Sequence, residues 1–132
     1  MEENPEGKGA LRANEEFYRA FESLDLGRME ALWARGEGVW CIHPGWGLLT
    51  GWDQVIDSWS RIFENTSLMQ FRITDAQVQT SRDLAMVVCL ENITSVVDGN
   101  VSEFKVLSTN AFMLREGSWL MVHHHGSPVY RA

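Results

Sequence analysis

The sequence predicts an α+β fold, with three N-terminal helices packed on the concave face of a cone-shaped, curved antiparallel sheet. Three observations predict it. Up to Asn65, apolar residues recur at helical spacing. Beyond Asn65 they alternate at the period of a strand and are punctuated by short turns. The third is the ending, Ser118 to Pro128, read as Ser-Trp-Leu-Met-Val-His-His-His-Gly-Ser-Pro. A fully buried strand stays apolar, because an unpaired polar group costs roughly 1–3 kcal/mol to bury. An apolar strand that turns into titratable groups reads instead as the wall of a pocket. Helices first and strands afterwards give the α+β class.

Each element has its own local cause. Residues 1–8 are acidic, with Pro5 and Gly7, and read as a flexible tail ahead of one domain over 9–132. Leu11, Phe17, Tyr18, Phe21 and Leu24 then share one helical face. A shorter helix is expected over 27–35, with Met29, Leu32 and Trp33 on one side and Gly36 and Gly38 ending it. Residues 39–43 read as a strand and Pro44-Gly45-Trp46-Gly47 as a turn. Thr50 and Asp53 have the spacing of a capping box. The helix it opens carries Trp52, Val55, Ile56, Trp59, Ile62 and Phe63 as its apolar stripe. Four strands follow, over 69–80, 84–97, 102–115 and 118–127, in an antiparallel meander. The alternation of the first slips at Asp75, the mark of a bulge. Asp98-Gly99-Asn100 and Glu116-Gly117 are tight turns.

A chain of 132 residues, 45% hydrophobic and 22% charged, suits a single domain with its own core. The net charge of −7, without any Lys/Arg run, argues against nucleic acid and against anionic membrane surfaces. No apolar run approaches the ~20 residues of a membrane span. The first residues lack the basic and apolar regions of a secretion signal, and Cys41 and Cys89 read as buried free thiols, so a cytoplasmic location is the expectation. By parity Val87, Cys89, Leu107, Ala111 and Met113 fall on the outer face of the sheet. Nothing in one copy would cover them, so a homodimer through that face is expected.

The pocket candidates come from distant parts of the chain. His43 stands at a strand end before Pro44, and a neutral imidazole there can take a proton near pH 7. His123, His124 and His125 cannot all face one way, because strand neighbours alternate. A bulge would decide whether His124, or His123 with His125, enters the cone. Asn92, Ser108 and Asn110 interrupt apolar strands and fit a set of neutral groups that orients a carbonyl or hydroxyl. Glu91 has the parity opposite to Asn92 and is expected at the rim or the dimer face. Tyr18, Trp40, Trp46, Trp59 and Phe63 form an aromatic wall; Trp59 and Phe63, at helical spacing, read more as plain core, and Trp46 suits a gate at the mouth. A metal site from His43 and two later histidines would lack clustered ligands, so no metal or cofactor is expected. The partner expected in the cone is a small apolar molecule.

The His43-Pro44-Gly45 turn, the Gly51-Trp52 helix start, the Gly117-x-Trp119 hairpin and the Val-His-x-His-x-Ser ending resemble the nuclear transport factor 2-like superfamily, in its SnoaL-like and ketosteroid isomerase-like members. The ending from Arg115 to Pro128 resembles the association domain of calcium/calmodulin-dependent protein kinase. The likeness covers about residues 10 to 128. It implies the cystatin-like cone. It places His43 where steroid-isomerase relatives carry a carboxylate base, Asn110 where they carry a hydrogen-bonding acid, and Tyr18 near their oxyanion tyrosine. It also turns His124 inward. The kinase domains place arginines at the positions of Asn92, Asn110 and Gly126, none of which is arginine here. The implied activity is cofactor-free isomerisation, dehydration or cyclisation of an apolar carbonyl or hydroxyl compound, with His43, Asn110 and His124 in catalytic roles. The alternative is a non-catalytic domain for ligand binding or oligomerisation.

Overall fold

The computed structural model describes residues 5–130. Its elements run α1 (Pro5–Ser23), α2 (Leu26–Glu30), β1 (Trp40–Ile42), β2 (Leu49–Thr50), α3 (Trp52–Glu64), β3 (Leu68–Ser81), β4 (Leu84–Val97), β5 (Asn100–Arg115) and β6 (Ser118–Pro128). The strands form one curved mixed sheet in the order β2-β1-β6-β5-β4-β3. The meander from β3 to β6 is antiparallel, as expected. Beyond the expectation, β1 joins β6 in parallel, and Leu49–Thr50 adds a two-residue edge strand too short to show an alternation.

Several boundaries move for local reasons. α1 starts at Pro5, inside the stretch expected as a tail, because proline is well suited to a first helical turn. Residues 1–4 of that tail lie outside the described residues. α2 is only five residues long and is capped by the Asp25 side chain on the Arg28 N–H. It stops early because the chain after it is captured by β6: Met121 N–H donates to Leu32 O, and Ala34 N–H donates to Met121 O. α3 has no capping box. Its N-cap is Gly51 at φ +86°, a left-handed conformation that Thr50 would resist. Thr50 belongs to β2, and its N–H donates to Gln54 Oε1 at 3.1 Å.

The core lies between the helices and the inner face of the sheet. Phe17 and Phe21 of α1 meet Trp59 of α3 edge-on, at 5.6 and 4.8 Å between ring centres, and Phe21 also meets Phe71 of β3 at 4.6 Å. Each buried phenylalanine contributes about 1.5–3 kcal/mol by transfer alone. Phe17, Tyr18, Trp59, Asn110, Phe112, Met121 and His124 are all 2% exposed or less, so side chains fill this part of the cone.

Two bulges set what faces inward. β3 slips register between Thr74 and Gln77, where Asp75 adopts φ +57°, as the broken alternation predicted. β6 slips opposite Ala111 and Phe112, so Val122 is the extra residue. That slip puts Met121 and His124 on the same face although they are three apart. On β4 the buried residues are Ala85, Val87, Cys89, Glu91 and Ile93. Val87 and Cys89 therefore belong to the inner face, not the outer one. Leu107, Ala111 and Met113 do face outward, in the parity opposite to buried Val106, Ser108, Asn110 and Phe112.

Candidate functional site

Two polar centres lie inside this apolar interior. The first surrounds His43, which is buried at 3% exposure. The Ser58 hydroxyl donates to Val55 O at 2.6 Å, so its oxygen accepts the Nε2–H of His43 at 2.8 Å. The rings of Trp59 and Trp46 stand edge-on to the imidazole at 4.6 and 4.9 Å. Cys41 Sγ lies 3.6 Å from Nε2. Burial lowers the His43 pKa to about 4, so the ring is neutral at pH 7. Burial also pushes the Cys41 thiol up, out of nucleophilic reach. His43 therefore sits in packed core rather than at a mouth. Trp46, half-exposed in its Gly-flanked turn, covers it from outside.

The second centre is built by α1, β4, β5 and β6. Glu91 is buried at 3% exposure, and its Oε2 accepts the Tyr18 hydroxyl at 2.5 Å and the Ser108 hydroxyl at 2.6 Å. Asn110 Nδ2 donates to Asn14 Oδ1 at 2.8 Å and to the Tyr18 oxygen at 3.1 Å. Its Oδ1 lies 2.6 Å from His124 Nδ1, which must therefore carry the proton. Cys89 Sγ adjoins the Tyr18 hydroxyl at 3.4 Å and Asn14 Nδ2 at 3.8 Å. Burial raises the Glu91 carboxyl to about 7, against the pull of its two hydroxyl donors, which favour the ionised form. Burial, then the Glu91 charge, holds Tyr18 well above the usual phenol value. Burial and the neighbouring histidines keep His124 neutral.

A cleft of about 440 Å³ reaches this centre between α1 and β3. Glu15, Glu16, Arg19 and Arg72 form its rim, Phe71 and Ile73 its β3 wall, and Asn14 and Tyr18 its α1 side. Glu91 lies behind that wall, paired across the strands with Ile73. A larger groove of about 860 Å³ runs past the strand ends, lined by Glu22, Arg72, Asn92, Glu103, Lys105 and Tyr130 among others.

The expected residues divide. Tyr18, Ser108, Asn110 and His124 converge, and Trp59 and Phe63 pack as core. Asn92 points away from them: it donates to Arg72 O and Thr74 Oγ1, on the outer parity of β4. His123 and His125 are on the outer face as well, because the Val122 bulge reverses the alternation. Trp40, 51% exposed, stands beside His123 there. Gly126 has no room for the arginine of the kinase domains, since a Cβ would lie 3.0 Å from Pro44 Cγ and Val106 Cγ1.

Glu91 is the residue that parity on β4 alone misplaced. Residues 84–90 are apolar on both faces, so their alternation carries no information. The hairpin did carry it. A two-residue turn at Asp98-Gly99 pairs Val97 with Asn100, hence Cys89 with Ser108 and Glu91 with Val106. Once Ser108 and Asn110 face inward, Glu91 must do so too. Asn14 is a polar residue on the apolar side of α1, which was its only signal.

The SnoaL-like domain profile matches residues 11–131. A protein of the NTF2-like family from Streptomyces avermitilis, provisionally described as a dehydratase, superposes with a TM-score of 0.89 at 34% identity, over 96% of this chain and 97% of that one. A provisionally described calcium/calmodulin-dependent protein kinase type II association domain from Thiobacillus denitrificans follows with a TM-score of 0.79 at 30% identity, over 89% and 92%. The F-box protein SKIP8 of Arabidopsis thaliana is 31% identical over 120 residues, 91% of this chain. The chain spans about half the length of that curated relative, 49%.

Proposed function

Because the chain belongs to the SnoaL-like domain family, within the nuclear transport factor 2-like superfamily that also holds ketosteroid isomerase-like proteins, we propose that it binds a small carbonyl or hydroxyl compound in the α1–β3 cleft and moves a proton on it. One observation carries this reading: a buried carboxyl group, Glu91, stands between two hydroxyls behind that cleft, and burial raises its pKa to about 7. A group poised near working pH can serve as base or acid without a cofactor. Glu91 is the proton acceptor, Tyr18 the donor to the ligand oxygen once its O–H turns from Glu91 to the ligand, and Asn110 the donor that fixes the Tyr18 oxygen. His124 orients Asn110. His43, expected as the base, takes a structural part. The reaction is an isomerisation or dehydration, in keeping with the provisional description of the Streptomyces protein. Tyr18 and Asn14 are 0% and 3% exposed, so the ligand enters by parting Phe71 and Ile73 from α1.

A thermal-shift screen of small enones, hydroxy-ketones and hydroxy-acids tests it, since a ligand of the folded state raises Tm by mass action. Turnover of a hit should rise through about pH 7, where Glu91 ionises. Glu91→Gln should keep the thermal shift and lose turnover. Turnover that survives in Glu91→Gln overturns the assignment.

A second reading concerns assembly and can hold together with the first. The outer face exposes Trp40 (51%), Leu107 (48%), Leu84 (45%) and Met86 (42%), and no described helix covers it. We propose that two copies pack through it, consistent with the association domain among the similar structures. Sedimentation should give a dimer, and Leu107→Glu a monomer; a wild-type monomer at high concentration excludes it. The two unpaired buried thiols support a reducing, cytoplasmic setting. No helix among the described residues is long and apolar enough to cross a membrane.

A further inference from the structure

The β6 strand holds a pair of imidazoles separate from the acid centre. His123 and His125 are two residues apart and stand on the outer face. Their ring centres are 6.3 Å apart with planes at 72°. His125 is exposed and His123 half-buried. Ala111 and Thr109 lie opposite them on β5, and Trp40 and Ile42 on β1. These four neighbours bring no Lys or Arg charge, and Ala111 and Thr109 leave the space above β5 low.

Two imidazoles on one tetrahedral cation, with Zn–N of about 2.0–2.1 Å, have ring centres roughly 5 Å apart. The observed pair is slightly wider. A small change in χ1 of each side chain, within its rotamer well, brings the ring centres together without moving the backbone, and the broad χ2 torsion then aims one nitrogen of each ring at the shared ion. We propose that His123 and His125 chelate a borderline transition-metal cation, copper(II) or zinc, on the outer face of the sheet. Imidazole nitrogen suits both ions, and copper(II) binds the more tightly by the general affinity order.

Among the described residues no third His, Cys, Asp or Glu completes the set. Water fills the remaining positions in a single copy. β6 is one of the two middle strands of six, so the pair lies within the face proposed to receive a second copy. The ligand is the neutral ring, so protons compete with the metal.

Calorimetric titration of the full chain with zinc chloride, and copper(II) spin resonance at one equivalent, test the proposal. The wild type should show saturable zinc binding, at one ion per chain or one per two chains. Its copper spectrum should show coupling to two or more nitrogens. His123→Ala and His125→Ala should each lose the saturable heat and reduce the nitrogen coupling, with circular dichroism and metal-free Tm unchanged. Absence of saturable binding in the wild type, or a wild-type isotherm in either variant, overturns it. Should one variant fail to fold, the spectrum of the other decides.

Discussion

The histidine centre at β1 and α3 and the acid centre at α1, β4 and β5 are built from the same materials and do different things. Both are buried, both mix an ionisable side chain with a serine hydroxyl, and His124, bonded to Asn110 of the acid centre, stands 6.2 Å from the His43 ring between ring centres. Around His43 the neighbours are indole rings, which leave it fixed and neutral. Around Glu91 the neighbours are hydroxyls and amides, and a cleft comes up against them. Burial has shifted both pKa values, by comparable amounts in opposite directions. A shifted pKa therefore does not by itself mark the working group. Access and the number of converging hydrogen-bond partners separate the two.

The largest break in that comparison comes from Trp59, which packs against His43, Phe17 and Phe21. Trp59→Ala should cost about 3–5 kcal/mol, read from urea unfolding, because a buried ring leaves a cavity that the sheet cannot close. The loss should fall on stability, with the acid centre's pH behaviour retained in whatever fraction stays folded.

The two centres should also oppose each other in the pH dependence of stability. Burial raises the folded pKa of Glu91 from 4.5 to about 7, so the folded state holds a proton that the unfolded chain has released. Its contribution is full below about 4.5 and falls by about 3 kcal/mol as pH rises to 7. His43 is lowered from 6.5 to about 4, so its contribution is full above 6.5 and falls by a similar amount, about 3 kcal/mol, as pH drops to 4. His124 acts in the same direction as His43. Over most of the shared window the slopes offset one another. Glu91→Gln removes one of them, so stability in the variant should climb steeply between pH 4.5 and 6.5 where the wild type is flatter. Parallel curves would mean that Glu91 ionises normally.

At the junction, Asn110→Ala should cost about 1–3 kcal/mol beyond the lost packing, since it strands the buried His124 Nδ1–H and frees Asn14 and Tyr18. Denaturant unfolding measures it. If the loss does not exceed that of Ser58→Ala in the histidine centre, the two regions are energetically alike.

The sequence made the frame legible because its signals are periodic. The stripe of α3, the broken alternation at Asp75 and the turns at Asp98 and Glu116 each have one structural solution. Asn110, Ser108 and Tyr18 were also readable, as polar atoms on apolar faces. The orientation of β6 was not, because a bulge at Val122 leaves no mark in a β-branched residue that suits any strand position. Glu91 was hidden by a run that is apolar on both faces, and it is recovered only by carrying the register across the hairpin. The imidazoles drew attention for their chemistry, yet packing decides their use, and packing between α3 and β1 is a contact distant in sequence.

The finest test isolates one hydrogen bond within the acid centre. Ser108 is fully buried and donates to the same oxygen of Glu91 that accepts Tyr18. A donor to a carboxylate favours its ionised form, so Ser108→Ala should raise the Glu91 pKa further above 7. At pH 5 the carboxyl is protonated in the folded state of both proteins, and the variant should lose only the weaker bond to a neutral acid. At pH 8 the wild type has the ionised carboxylate held by two hydroxyls, and the variant has one. The difference between the two pH values should be about 1 kcal/mol, the net worth of one buried hydrogen bond, with the variant worse at pH 8. Matching losses at both pH values would show that Glu91 does not ionise in the folded protein, and a group that never releases its proton cannot accept one from a substrate.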